Sequence, residues 1–208
     1  MKTKQINNQI NREIENDKKS HNLATLISDH IRNSGGRPQK DAVEKAVNFF
    51  YGYLMFVPIT TDQTIMAAKK ANILHLVQPL LEIVEDYFIN PNDLIPDRLG
   101  VFGLLDDAYY SLKMMQTISE EYANHTGVPL ISFNLTPFNN EVRGVLGENI
   151  AQMIEMAIIS VFQTRAVQNP FMQLVDQYNS TMYINDPMYG TCSVNDVVNA
   201  RLGAMGVV

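Results

Sequence analysis

Apolar residues recur three or four positions apart along much of the chain, which is the spacing of amphipathic α-helices. Residues 1–20 carry only a thin apolar stripe, at Ile6, Ile10 and Ile14, on an otherwise polar segment. This pattern predicts a polar N-terminal arm or a docking helix. Residues 22–33 have a broader apolar face and predict a second helix, which ends at a Ser-Gly-Gly run.

The next segment predicts a buried central helix. Residues 41–56 carry apolar and aromatic side chains over a wide face, and Pro58 is expected to stop the helix. The Thr60-Thr61-Asp62 run offers N-cap residues, so a separate short helix is expected over residues 60–70.

Two further periodic segments, residues 72–88 and residues 104–122, lie on either side of a turn rich in Pro and Gly. They predict a central helical hairpin over residues 72–123. After Gly127 the pattern changes, and residues 128–138 alternate apolar and polar positions, which predicts a short extended or lid-like segment.

Helical periodicity then resumes near the C-terminal end of the chain. One helix is expected over residues 141–168, a short turn of helix over residues 171–178, and a last helix over residues 193–202. The fold class is therefore all-α. We expect a compact single domain over residues 21–208, with the arm before it.

Composition supports a folded protein of one domain. The chain has 208 residues, of which 46% are hydrophobic and 18% charged, as in globular proteins. No secretory leader is visible, the apolar runs are too short to cross a membrane, and Cys192 has no partner for a disulfide. We therefore expect a cytoplasmic protein.

Charge is unevenly distributed along the chain. Residues 1–70 hold 11 basic and 7 acidic residues, whereas residues 71–208 hold 5 and 15. Residues 82–107 alone have a net charge of −6, which equals the formal charge of the whole chain. This acidic balance argues against nucleic-acid binding, and the opposite signs offer surfaces for a protein partner or for self-association.

The acidic segment contains a recognisable motif. Residues 87–108 read YFINPNDLIPDRLGVFGLLDDA and resemble the core of the bacterial YkvA-like family, also called the domain of unknown function 1232. The family pattern is Asp-Leu-Ile-Pro-Asp, a short apolar turn, and Gly-x-x-Asp-Asp-Ala. The matching positions are residues 93–97, Gly103, Asp106, Asp107 and Ala108. The resemblance extends over about residues 72–123 and implies a helical hairpin but no activity.

The motif has a purely structural interpretation. Pro96 rigidifies the turn, and Gly100 and Gly103 permit positive φ or a close approach of another backbone. Asp106 and Asp107 are predicted in the first turn of a helix, where the helix dipole stabilises carboxylates by about 0.3–1 kcal/mol each. The motif then forms a rigid corner.

A metal-binding interpretation stays open beside it. Asp93 and Asp97 can cap backbone N–H groups in the turn, but with Asp106 and Asp107 they also supply oxygen ligands of the kind that Mg²⁺, Mn²⁺ or Ca²⁺ prefers. Such a site predicts a divalent-cation-dependent hydrolase as an alternative function.

The apolar turn supports a third interpretation. Residues 94–96 and 99–105 would form an exposed hydrophobic tip if the rest of the chain did not cover them, and such a tip could contact a membrane. The acidic surroundings disfavour anionic lipid, so a protein partner is the better expectation.

Signatures of catalysis are otherwise missing. The four histidines do not pair at metal-ligand spacing, and the chain has neither a nucleophile elbow nor a phosphate-binding loop. The sequence favours a non-enzymatic structural or protein-interaction module that has no cofactor.

Overall fold

The computed structural model describes residues 3–90, 95 and 97–164, and these residues contain helices and no strand. The all-α prediction is confirmed. In chain order the elements are α1 (Thr3–Ser20), α2 (Asn22–Asn33), α3 (Lys40–Lys70), α4 (Leu74–Ile89), a 3₁₀ segment (Asp97–Leu104), α5 (Leu105–Thr126), α6 (Thr136–Leu146) and α7 (Glu148–Phe162).

Helix α5 lies at the centre of the fold and is buried along most of its length. Helices α3, α4, α6 and α7 all pack against it. With α4 it forms the predicted central hairpin. The rings of Tyr87 and Tyr110 stack between these two helices, with centroids 4.1 Å apart, which adds a specific aromatic contact to the apolar packing.

The polar helix α1 docks onto the rest of the protein. Ile6, Ile10 and Ile14 are all buried, because α1 packs against α3, α4 and the 3₁₀ segment. Near its end, the Asp17 carboxylate accepts hydrogen bonds from the Tyr51 hydroxyl at 2.6 Å and from the backbone N–H of Leu23 at 2.9 Å. Asp17 therefore ties α1 to both α2 and α3.

The predicted break at Pro58 is wrong, since α3 continues through it to Lys70. Proline removes one helical hydrogen bond, but the residues around Pro58 are buried on all sides, and this packing outweighs the loss. The expected N-cap residue Thr61 instead donates its hydroxyl to the carbonyl of Val57 at 2.8 Å. This back-bonding is the usual behaviour of threonine inside a helix.

The single helix predicted over residues 141–168 is also wrong. The structure has two helices, α6 and α7, which meet at Gly147 with φ 82° and ψ 156°. Only glycine adopts this conformation readily, so Gly147 forces the chain to turn. Helix α6 also begins earlier than predicted, at Thr136.

The segment predicted as extended or lid-like is a short loop over residues 127–135. It is anchored to the core rather than free to open, because Leu130, Ile131 and Leu135 are buried. The backbone N–H of Ile131 also donates to the Ser119 hydroxyl at 3.1 Å. The helices predicted over residues 171–178 and 193–202, together with Cys192, lie outside the described residues.

Buried polar side chains link α3, α5 and α6. The Tyr53 hydroxyl donates to the Asn139 side-chain oxygen at 2.7 Å, and the Asn139 amide nitrogen donates to the Gln116 oxygen at 2.7 Å. Gln116 then donates to Thr136 at 3.1 Å and to Glu120 at 2.6 Å. This chain of hydrogen bonds satisfies polar groups that would otherwise be costly to bury.

Candidate functional site at the acidic corner

The corner is formed by the 3₁₀ segment together with Ile95 and the first turn of α5. Gly100 lies in its middle with φ 64° and ψ −133°, a conformation that L-residues rarely adopt. The expectation of positive φ is therefore confirmed at Gly100. Ala108 is fully buried just after the corner, where its small side chain fits the packed start of α5.

Asp106 and Asp107 lie in the first turn of α5, as predicted. Both are fully buried. The Asp106 Oδ2 atom accepts a hydrogen bond from the backbone N–H of Ile95 at 3.2 Å, so this side chain fastens the chain before the 3₁₀ segment to the helix after it. A carboxylate at this position also interacts favourably with the positive end of the helix dipole.

The proposed metal ligands are only partly described. Asp93 and Pro96 lie outside the described residues, and Asp97 is described only as the first backbone position of the 3₁₀ segment. Across residues 3–90, 95 and 97–164, no group of three or more His, Cys, Asp or Glu side chains could hold a metal ion. The four-carboxylate cation site stays a prediction.

The expectation of an exposed apolar tip is wrong for most of its described residues. Ile95, Val101, Leu104 and Leu105 are buried, because α1, α3 and α5 pack against the 3₁₀ segment. Leu99 is 45% exposed, which is ordinary for a single surface leucine. Within the described part of the chain, no helix is both long and apolar enough to cross a membrane.

A cleft opens beside the corner, where α1 crosses the 3₁₀ segment. It has a volume of about 350 Å³ and is lined by Gln9, Arg12, Glu13, Asn16, Asp17, Ser20, Asn22, Gly100 and Leu104. Gly100 faces Glu13 here, and a Cβ atom at Gly100 would lie 4.0 Å from the Glu13 Oε2 atom. The cleft thus joins the motif to the polar side of α1.

Sequence reasoning missed this cleft. The polar residues of α1 drew no attention because they surround a thin stripe of isoleucines, and such residues usually face solvent. The available signal was residue type: Gln9 and Asn16 of α1 and Asn22 at the start of α2 carry side-chain amides, which both donate and accept hydrogen bonds.

Charges in the cleft are largely committed to local contacts. Arg12 donates to Glu13 at 2.9 Å, and the Asp17 carboxylate is occupied by its hydrogen bonds to Leu23 and Tyr51. Burial, together with the hydrogen bond to Asp17, raises the pKa of the Tyr51 hydroxyl. The Arg12, Glu13 and Asp17 side chains therefore contact neighbouring groups at the wall of the cleft.

The fold and the corner define a class of protein: a helical domain built on an acidic hairpin with a buried aspartate pair. In the comparison with known families, residues 87–110 match the family described as a protein of unknown function (DUF1232). The resemblance expected from the Asp-Leu-Ile-Pro-Asp motif is confirmed over that segment, which contains the end of α4, the corner and the start of α5. The comparisons with curated proteins and with solved structures gave no match.

Proposed function

We propose that this protein is a non-enzymatic helical module that binds a segment of another protein in the cleft between α1 and the corner. One observation carries the proposal: the two described carboxylates of the motif are buried inside the corner, while the polar cleft beside it is open to solvent. The motif then acts as a scaffold that holds one wall of a binding site.

The chemistry of the cleft favours a peptide segment as the ligand. Three side-chain amides, those of Gln9, Asn16 and Asn22, line it. An amide can donate to a backbone carbonyl and accept from a backbone N–H, so it matches the repeating groups of an extended peptide. The Arg12–Glu13 pair at its edge offers one charge of each sign to the partner's side chains.

The proposal is tested by photo-crosslinking in the native host. A photoreactive phenylalanine analogue is placed at Asn16, in the cleft, and in a matched chain at Asn8, which is exposed on the same helix but does not line the cleft. We expect a discrete cross-linked partner from position 16 and not from position 8.

A second experiment tests whether the side-chain amides in the cleft are needed for binding of the partner. The double variant Gln9→Leu/Asn16→Leu is compared with Gln5→Leu/Asn8→Leu, whose residues lie on the same helix outside the cleft. Loss of the same partner in the first variant alone supports the proposal. Equal recovery of partners by both variants, or no cross-link from position 16, contradicts it.

A second copy of the chain is one outcome of this experiment. Residues 1–70 are net basic and residues 71–208 are net acidic, so head-to-tail pairing between copies would weaken with salt. Sedimentation at low and high ionic strength separates the two cases: a salt-sensitive dimer identifies the partner as another copy, and a monomer at both ionic strengths identifies it as a different protein.

A further inference from the structure

A single residue, His21, joins α1 to α2, and its backbone is left-handed. It lies between Ser20, the last residue of α1, and Asn22, the first residue of α2, with φ 55° and ψ 28°. Residues other than glycine adopt this conformation at a cost in free energy. The His21 side chain is exposed and contributes little packing that would offset this cost. The sharp turn at His21 is therefore imposed by the docking of α1 and not by the preference of His21 itself.

The contacts that dock α1 are distributed along the whole helix. Its three isoleucines are buried, the Asp17 carboxylate accepts from the Tyr51 hydroxyl at 2.6 Å, and the Thr3 hydroxyl donates to the Glu85 carboxylate at 3.3 Å. These contacts join α1 to α3 and α4. None of them requires α1 to belong to the same chain as the rest of the domain, because an identical α1 from a second copy would make the same contacts.

A change of backbone angles at His21 alone would join α1 and α2. With helical angles there, residues 3–33 would form one continuous helix about 46 Å long, at about 1.5 Å per residue. The left-handed residue would be gone. The backbone N–H of Leu23, which donates to the Asp17 carboxylate at 2.9 Å, would donate to the carbonyl of Lys19 instead. The joined helix therefore leaves the Leu23 N–H with an acceptor.

The apolar faces of α1 and α2 would point in different directions in the joined helix. The buried face of α1 is centred on Ile10, and α2 packs on the core through Leu23 and Ile27. Because successive residues of an α-helix are about 100° apart, these two faces would diverge by about 120°. While Leu23 stays buried in its own chain, the isoleucines of α1 would point to another side, where a second copy can bind them.

We propose that two copies of this chain exchange α1 and form a domain-swapped dimer. Each α1 occupies, on the other copy, the position that it has on its own chain in this structure, and the two joined helices cross near His21. The cleft beside the corner is then rebuilt from two chains, with the α1 residues from one copy and Gly100 and Leu104 from the other. The exchange does not depend on which partner the cleft binds. Buried isoleucines hold this dimer, so it should not weaken with salt as a head-to-tail dimer held by charge would.

Two substitutions at His21 test the role of the hinge in the full-length chain. His21→Ala favours the helical conformation, whereas His21→Gly accepts the left-handed conformation readily. Both proteins are refolded from denaturant at equal concentration, and the dimer fraction is measured by sedimentation velocity. We expect that fraction to be at least about fivefold higher in His21→Ala than in His21→Gly. Equal fractions in the two variants, or monomers in both, would overturn the proposal.

Asn72 provides a matched control for a general loss of stability. It is also exposed and left-handed, with φ 57°, but it lies between α3 and α4 and not at the junction of α1 with α2. Asn72→Ala should therefore leave the dimer fraction at the wild-type value. If Asn72→Ala raises it as much as His21→Ala does, association follows from destabilisation and the exchange of α1 is refuted.

Cross-linking between isotopically distinct chains tests which surface holds the dimer. In the His21→Ala background, a photoreactive phenylalanine analogue replaces Glu13, whose carboxylate faces Gly100, in an unlabelled chain. This chain is refolded together with a ¹⁵N-labelled chain that lacks the analogue, and the monomer and dimer are separated before irradiation. We expect cross-links from α1 of the unlabelled chain to residues 97–104 of the labelled chain in the dimer, and cross-links within one chain only in the monomer. A dimer in which α1 cross-links only within its own chain is held by another surface and contradicts the proposal.

Discussion

Asp106 and Ile95 close the acidic corner: the backbone N–H of Ile95 donates to the Asp106 Oδ2 atom at 3.2 Å. The two residues lie eleven positions apart, on either side of the 3₁₀ segment, and both are buried. A motif residue that could have served as a metal ligand thus forms part of the fold. This relationship supports the interpretation of the motif as a scaffold.

Removing the Asp106 carboxylate should destabilise the protein. In Asp106→Ala the buried N–H of Ile95 loses its acceptor, and an unsatisfied buried donor costs about 1–3 kcal/mol. The free energy of unfolding is measured by denaturant titration. The control Asp62→Ala, at an exposed position on α3, should change it by less than about 0.5 kcal/mol. Equal effects in the two variants would show that Asp106 does not hold the corner.

The protein should lose stability in alkaline solution. Burial raises the pKa values of the Tyr51, Tyr53, Tyr109 and Tyr110 hydroxyls, whereas in the unfolded chain they titrate near the ordinary value of about 10. Above that pH the unfolded state binds fewer protons than the folded state, so the free energy of unfolding falls as pH rises. Below about pH 10 the buried tyrosines make their full contribution to the free energy of unfolding.

Tyrosinate absorbance and far-ultraviolet circular dichroism followed together check this pH dependence. We expect these tyrosines to ionise only as helical structure is lost. Ionisation of all tyrosines near the ordinary pKa, with the helical signal intact, would contradict the buried hydrogen bond of Tyr51 with Asp17 and the partly buried hydrogen bond of Tyr109 with Glu155.

Among the hydrogen-bonded residues that link α3, α5 and α6, Asn139 should cause the largest loss of stability when it is replaced by alanine. Asn139→Ala removes the acceptor of the Tyr53 hydroxyl and the donor to Gln116, so two buried groups lose a partner and the expected cost is about 2–4 kcal/mol. Its neighbour Asn140 is exposed, and Asn140→Ala is the matched control. Thermal or denaturant unfolding that ranks the two variants equally would refute the role of Asn139.

Alanine substitutions at Gly144, inside α6, and at Gly147, at its C-terminal end, should change the stability of the protein in opposite directions. Gly147 has φ 82°, so Gly147→Ala strains the backbone by about 1–3 kcal/mol even though no atom lies within 4 Å of its Cβ position. Gly144 lies inside α6 with equally open space, so Gly144→Ala should stabilise the helix by about 0.5–1 kcal/mol. A stabilising Gly147→Ala would mean that the α6–α7 turn does not depend on positive φ.

Helices whose buried face follows from the periodicity of their apolar residues could be predicted from the sequence. The isoleucine stripe of α1, the hairpin of α4 and α5, and the placement of Asp106 and Asp107 in the first turn of α5 all follow from helical periodicity and charge. Local pattern suffices for these elements because tertiary packing and local preference agree.

Prediction from the sequence failed where tertiary packing conflicts with local preference, and where the residues that form a feature are distant in sequence. Pro58 favours a break, but burial on every side keeps α3 continuous. The sequence does not give the φ angle of Gly147, so the turn between α6 and α7 could not be recognised from it. The cleft combines residues of α1 with Gly100 and Leu104, so a local pattern could not reveal it.

Titration with divalent cations is the most direct test of the claim that the corner is a scaffold rather than a metal site. Protein freed of metal by a chelator is titrated calorimetrically with Mg²⁺, Mn²⁺ and Ca²⁺, and its thermal unfolding is followed with each ion. We predict no saturable heat and no change in Tm. A cation that binds the folded state would stabilise it by about 2.7 kcal/mol at 100 times its Kd. Saturable binding with a raised Tm in the wild type, both lost in Asp106→Asn, would contradict the account.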